Sequence, residues 1–278
     1  MSIVTTTELL IAILAGIVQG VVEWLPVSSQ GNLSLVLTLV GTDPAVAVQL
    51  ALFLQLGTTL SAATYYRAEI ATILKSVPEW RPTKAYDADH AIATYVVVAS
   101  LFTGLVGIPL YILAVDLVSD LTGGVFVAVI GVLLVITGLL QRASDSVSMG
   151  GRETPSLVDS ILVGSAQGFA ILPGISRSGV TASTLLFRSY DPPTAFRLSF
   201  LLSIPASVGA AALTVAGAGG LPGIAPVPAA VALGVSGVVG YLTIDALMRV
   251  VERVPFATVC FALGALAIVG GGGIALVV

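Results

Sequence analysis

The sequence predicts an all-α integral membrane protein, an inverted-repeat helical bundle with six transmembrane helices and two re-entrant helix hairpins. Composition is the first reason. The 278 residues are 56% hydrophobic and only 9% charged, with a mean hydropathy of +1.06. Soluble domains are about 25% charged, and several apolar runs here reach the roughly 20 residues that a helical span needs. The second reason is a motif that returns, altered, halfway along. Gln19-Gly20, Leu25-Pro26, Ser28-Ser29 and Gly31 are matched by Gln167-Gly168, Leu172-Pro173, Ser176 and Gly179. The third is charge. When the apolar runs are threaded alternately through a bilayer, all of the eleven Lys and Arg residues except Arg177 fall on one side. Cytoplasmic loops carry the excess of basic residues, so that side is inside.

Taken in order, Ile3 to Trp24 is apolar and stops at Pro26, and Leu33 to Val40 is apolar and stops at Gly41-Thr42-Asp43-Pro44. Neither arm makes a comfortable span after the break. Together they suit a hairpin that enters and leaves by one face. Ala45 to Tyr66, Ala91 to Val115 and Leu121 to Gln141 are the first three full spans. Arg67 to His90 is the most polar segment, and Asp116 with Asp120 forms a short acidic turn. Arg142 to Pro155 is a Ser/Gly-rich linker. Ser156 to Ala170 and Ser178 to Phe187 form the second hairpin around Pro173. Ala195 to Ala216, Ala229 to Met248 and Phe256 to Val277 complete the spans, with an uncharged Gly/Pro turn from Gly217 to Pro228.

The chain therefore reads as a single membrane domain over 1–278, with inverted repeats 1–142 and 156–278 and a polar linker 143–155. Both termini and the first hairpin's mouth are expected on the outer face of a multi-pass cell-membrane protein, and the second hairpin's mouth inside. The first residues lack a basic stretch and a clear cleavage site, so no cleaved signal peptide is expected. The single cysteine, Cys260, excludes an intrachain disulfide and reads as packing. His90, beside Asp87 and Asp89, reads as a solvated loop or helix-start residue. A net charge of −4 is too small to imply a nucleic-acid partner.

Glu23 and Arg177 are lone charges inside apolar sequence, where charge is costly and marks function. The proline breaks beside them free backbone N–H and C=O groups, which membrane depth tolerates only where protein or a water-lined cavity satisfies them. The two hairpins are therefore expected to meet and build one polar site. Gly174 and Gly179 permit close backbone approach. Freed N–H groups at a half-helix start favour an anion, and the Arg177 fork suits phosphate, with Ser176, Ser178 and Thr181 around it. The plainer alternative, a buried structural pair between Glu23 and Arg177, is disfavoured because such pairs stabilise poorly. Glu23 is open to three roles: holding a divalent cation together with phosphate oxygens, acting as a base, or orienting Arg177. Ser28 and Ser29 read either as helix caps or, for one of them, as a nucleophile activated by Glu23. Gln19 and Gln167 suit hydrogen bonds across the broken helices, and Asn32 bonds without being a nucleophile or base.

At these residues the chain resembles the undecaprenyl-diphosphate phosphatases linked to bacitracin resistance. The resemblance runs nearly the whole length. It is most specific at Glu23-Trp24-Leu25-Pro26-Val27-Ser28-Ser29-Gln30-Gly31 and Pro173-Gly174-Ile175-Ser176-Arg177-Ser178-Gly179-Val180-Thr181. It implies dephosphorylation of a polyprenyl diphosphate lipid to its monophosphate, with a divalent cation (Mg²⁺ or Ca²⁺), at a site open to the outer face. It implies Glu23 as metal or acid/base carboxylate, Ser29 as candidate nucleophile, and Arg177 with Ser176 and Thr181 on the diphosphate. Ser28, Gln19, Asn32, Gly174 and Ser178 complete the expected substrate-binding set. The expected partners are the lipid, the bilayer and, as one option, a second copy of the chain. Two positions depart from the family pattern: it often has Glu where Gln19 stands and His where Asn32 stands. A histidine nucleophile cannot operate here, which leaves the serine or an activated water. A lipid-phosphate carrier on the same inverted repeat is the alternative from another class. A phosphatidic-acid-type phosphatase needs catalytic histidines, and the only histidine, His90, lies far from the motifs.

Overall fold

In the computed structural model, residues 5–87, 90–119, 121, 123–145, 150–251 and 254–277 are described. Among them are eleven α-helices and no strand. They are α1 (Thr6–Val22), α2 (Ser29–Leu39), α3 (Pro44–Tyr65), α4 (Arg67–Ser76), α5 (Ala91–Ser119), α6 (Gly123–Asp145), α7 (Leu157–Phe169), α8 (Arg177–Phe187), α9 (Pro192–Gly217), α10 (Pro226–Val251) and α11 (Phe256–Val277). Six of these, α3, α5, α6, α9, α10 and α11, are long and apolar enough to cross a membrane. The pairs α1/α2 and α7/α8 are each interrupted by a loop holding Pro26 or Pro173. A proline cannot donate to a helix and its ring excludes the preceding turn, so the chain leaves the helix there.

Three details differ from the sequence reading. The polar segment after α3 is not all loop: α4 occupies its first part, because Ala68, Glu69, Ile70 and Ala71 contain no helix breaker. α5 runs on through Asp116 to Ser119, so Asp116 belongs to a helix end rather than a turn. α6 likewise extends to Asp145, past the expected start of the linker, since Gln141, Arg142 and Ala143 are good helix formers. His90 does precede a helix but is only 8% exposed, not solvated. Cys260 is fully buried, its Sγ donating to the Pro26 carbonyl at 3.4 Å. Asp89, Asp120, Arg253, residues 1–4 and the linker's 146–149 lie outside the described residues.

The helices of one half pack on those of the other. α1 lies along α10, α7 along α5, α6 along α11, and α3 against α9. Small residues set these approaches, as expected where lipid is as apolar as the side chains and close backbone contact must hold the helices together. A Cβ on Gly20 of α1 would lie 2.8 Å from Val239 Cβ and 3.0 Å from the Gly240 nitrogen of α10. A Cβ on Gly168 of α7 would lie 2.6 Å from Val106 Cβ and 3.0 Å from the Gly107 nitrogen of α5. The same glycine meets the same Val-Gly pair in each half. The faces turned away from these contacts carry exposed Leu101, Leu105, Leu242, Leu266 and Val269.

The loops of the two broken pairs meet tip to tip. Gly31 and Gly174 approach so closely that a Cβ on Gly31 would sit 2.6 Å from the Gly174 nitrogen. Ser28 caps α2 with φ 60°, a left-handed conformation unusual for a residue with a side chain. Its hydroxyl accepts from Gly31 N and from Gly174 N, each at 3.2 Å, so one oxygen ties both tips together. Gln30 Nε2 adds a bond to the Ile171 carbonyl at 3.0 Å.

Candidate active site

The two breaks deliver three charged or reactive side chains to the junction, two from the first and one from the second. Glu23 ends α1, Ser29 begins α2, and Arg177 begins α8. The Arg177 Nη2 is ion-paired with Glu23 Oε1. The other carboxylate oxygen, Oε2, accepts from Ser29 Oγ at 2.6 Å and from Gln19 Nε2 at 2.7 Å. Arg177 Nη1 donates to the Ser203 carbonyl at 3.3 Å and to Ser207 Oγ at 2.6 Å. The Glu23 side chain is 3% exposed and the Arg177 side chain 15%. Both are held at the wall of a cavity of about 510 Å³. Its polar lining includes Ser28, Ser29, Gln55, Thr103, Gln167, Ser176 and Ser178, and its apolar lining Leu52, Ile108, Ile171, Ala210 and Leu213. The cavity reaches outward between α5 and α9, where Ile108, Gly209, Ala212 and Ala216 are exposed.

The junction gathers Glu23, Ser29 and Arg177 directly, with Ser28, Ser176 and Ser178 beside them in the cavity wall. The other expected residues stand behind that wall. Gln19 is fully buried and reaches the cavity only through Glu23. Asn32 Nδ2 donates to the carbonyls of Val27 at 2.7 Å and Ser28 at 2.9 Å, bracing the loop before α2. Thr181 Oγ1 donates to the Arg177 carbonyl at 2.7 Å and lies 2.6 Å from Ser199 Oγ. Gly174 serves the tip contact. Gln167, unlike these, lines the cavity itself, its Nε2 donating to Thr103 Oγ1 at 3.0 Å and tying α7 to α5.

Sequence reading missed Gln55, Ser203 and Ser207, which reach the junction from α3 and α9. They belong to no motif. The signal that could have found Gln55 is its place inside an apolar span, where an amide needs a partner. Asp159 was missed as well. It is the third helical residue of a capping box opened by Ser156, a pattern visible in the sequence. Its buried carboxylate accepts from Arg152 Nη2 at 2.9 Å, Arg188 Nε at 2.6 Å, Tyr190 Oη at 2.9 Å and Ser156 Oγ at 2.6 Å. Burial alone pushes its pKa up. The hydrogen bonds from Ser156, Arg188 and Tyr190 outweigh that and hold it below the ordinary carboxylate value.

The donor set decides how a divalent cation fits. Among the described residues Glu23 is the only carboxylate in the cavity wall, and both its oxygens already accept hydrogen bonds. Among the described residues no group of three His, Cys, Asp or Glu is placed to hold a metal. A resident protein cage therefore does not fit. A cation shared with phosphate oxygens, taking one carboxylate from the protein, does.

Two broken helix pairs that meet inside an apolar bundle, presenting a guanidinium, a carboxylate and a serine hydroxyl to one cavity, define a polytopic helical protein with a buried polar site. The family model described as bacitracin resistance protein BacA matches residues 12–266, and the chain belongs to that family. It is 50% identical over 269 residues to the undecaprenyl-diphosphatase of Haloarcula marismortui, covering 96% of this chain and 99% of the relative. It is 40% identical over 262 residues to the undecaprenyl-diphosphatase of Methanococcoides burtonii, covering 92% and 96%. With that of Methanopyrus kandleri it shares 37% identity over 267 residues, covering 94% and 95%.

Proposed function

We propose that this protein is a membrane phosphatase that hydrolyses a polyprenyl diphosphate of the undecaprenyl type to the lipid monophosphate and inorganic phosphate. One observation carries the reading: Ser29 Oγ donates to Glu23 Oε2 at 2.6 Å while Arg177 grips the other oxygen of the same carboxylate. A nucleophile, a group that holds its proton, and a fork for phosphate thus share one cavity. The relatives' name supplies the substrate class.

Arg177 binds the diphosphate through the N–H groups not spent on Glu23, Ser203 and Ser207. Ser29 Oγ attacks the terminal phosphorus and its proton passes to Glu23 Oε2. The bond from that phosphorus to the bridging oxygen breaks, and the lipid monophosphate leaves with the electron pair. Water then cleaves the phosphoserine, restoring the hydroxyl and releasing phosphate. Glu23 is the residue that would hold Mg²⁺ or Ca²⁺ alongside the diphosphate oxygens, and such an ion supplies neutralisation of phosphate charge. The apolar lining between α5 and α9 suits the prenyl chain, which enters sideways from lipid. Arg67, Arg142, Arg188, Arg197 and Arg249 all sit at one end of the bundle, so that end is cytoplasmic. The cavity mouth, both termini and the mouth of the α1/α2 hairpin then face outward.

A carrier of lipid phosphate needs the same anion site but no hydroxyl held by a carboxylate, and the relatives bear a hydrolase name. Phosphate release from farnesyl diphosphate by the purified protein, with divalent cation supplied or chelated, tests the reading. Ser29→Ala is expected to abolish turnover while leaving binding nearly intact, because the hydroxyl adds little ground-state affinity. If Ser29→Ala keeps a sizeable fraction of activity while Glu23→Gln removes it, a water attacks instead. No release by wild type on any polyprenyl diphosphate overturns hydrolysis in favour of the carrier.

A further inference from the structure

The hydrogen bonds around Arg177 fix the direction of a side chain that no motif contains. A guanidinium only donates. Ser207 Oγ therefore accepts from Arg177 Nη1 in their 2.6 Å contact, and its own proton must go to another acceptor. The acceptor in place is Gln55 Oε1, at 3.3 Å. A hydroxyl cannot donate to an NH₂ group, so the amide is held one way round: carbonyl toward Ser207, NH₂ away from it. Ser207 is 2% exposed and Gln55 8%, so bulk water does not compete for these bonds. Gln55 and Ser207 both line the cavity that holds Ser29 and Arg177, and among the described residues the Gln55 NH₂ has no hydrogen-bond partner. Two donors in an apolar span, in the lining of the same cavity as the guanidinium and turned from Ser207, call for an acceptor from the ligand.

We propose that Gln55 is a phosphate-binding residue whose Nε2 donates to a diphosphate oxygen beside Arg177, and that Ser207 is the positioning residue that keeps the amide that way round. This rests on the diphosphate reading of the site. It adds α3 and α9 to a site otherwise built from the broken helices. The diphosphate is then gripped by Arg177 from α8 and by Gln55 from α3 before the chemistry begins, and a monophosphate, with fewer oxygens to share, is held less well.

The test is binding of a non-hydrolysable farnesyl methylenediphosphonate to the purified full chain in detergent, read as a thermal shift against concentration, beside phosphate release from farnesyl diphosphate. Gln55→Glu keeps the size and the acceptor for Ser207 but replaces the NH₂ with a carboxylate oxygen. It is expected to weaken binding at least as much as Gln55→Leu, each on the order of tenfold or more, the scale of one lost hydrogen bond to a charged group. Ser207→Ala is expected to weaken binding and Ser207→Thr to restore it, since only the hydroxyl orients the amide. If Gln55 merely braced the helices, Gln55→Glu would bind within twofold of wild type and better than Gln55→Leu, and that result overturns the proposal. If Gln55→Glu fails to fold, Gln55→Leu decides alone, and wild-type affinity in it is equally fatal. Wild type that binds the analogue yet releases no phosphate sinks the hydrolysis reading only, while wild type that binds no analogue sinks both.

Discussion

Removing Arg177 has two separable consequences, because the residue does two things. On the proposed reading Arg177 is the fork for a diphosphate whose charge grows in the transition state, and its loss in Arg177→Ala is expected to lower kcat/KM by roughly 10²-fold or more. Lysine is expected to rescue poorly, since a point charge replaces a planar fork that now serves Glu23, Ser203 and Ser207 at once. The same change strands Glu23 as a buried unpaired carboxylate, at a cost of about 3–5 kcal/mol. Pairing Arg177→Met with Glu23→Gln is therefore expected to restore the thermal midpoint without restoring turnover. Recovery of both would mean that the charges are dispensable to the reaction. Glu23 and Arg177 were legible from sequence because each is a charge where apolar residues surround it. Ser207 was not, because nothing local says which wall of a bundle a small hydroxyl faces. That depends on how α3 crosses α9.

The hairpins as elements depend on how their ends are fastened. The base of α7/α8 is closed by Asp159, which binds Arg152 and Arg188 from both flanks together with Tyr190. Its carboxyl is held below the ordinary value in the folded protein. A group lowered by folding contributes stability above its unfolded value and loses it as pH falls toward the folded one. The contribution is thus full near neutrality and fades as pH falls below the ordinary aspartate value of about 3.9. A plot of thermal midpoint against pH in detergent should fall in that acid range for wild type. Asp159→Asn should start lower and fall less steeply there, and parallel curves would remove Asp159 as the cause. The breaks themselves were readable, since the apolar arms after Pro26 and Pro173, Leu33 to Val40 and Ser178 to Phe187, are too short to span. What could not be read were helix ends with no breaker to mark them, at α4, α5 and α6. The meeting of the two tips needed the fold as well: Gly31 and Gly174 are far apart in the chain and only packing brings them within a Cβ of each other.

At the scale of the whole molecule, the sidedness of basic residues makes one claim that labelling can check. Asp87 follows α4 at the basic end, and Ala218 follows α9 at the other, both exposed. Cysteines placed at these two positions are expected to react with an impermeant reagent from opposite faces of a sealed vesicle. The native Cys260 is buried and should stay silent. Labelling of both from the same face would undo the threading of the spans. The number and order of spans were legible because the hydropathy and the arginines agree, but the interlocking of the halves was not, since apolar runs do not announce their neighbours. That interlocking sets a clock. Trp24 Nε1 donates to the Gly240 carbonyl at 3.1 Å, across 216 residues of chain, and α1 has its main seat on α10. At ribosomal speeds of about 5–20 residues per second, α10 emerges roughly 10–40 s after α1. Until Arg177 follows, the first hairpin stands in the bilayer with its carboxylate unpaired, and until α10 follows it lacks its main seat. The enzyme's most vulnerable moment is thus a fixed part of its synthesis, and it ends only when α10 has been made.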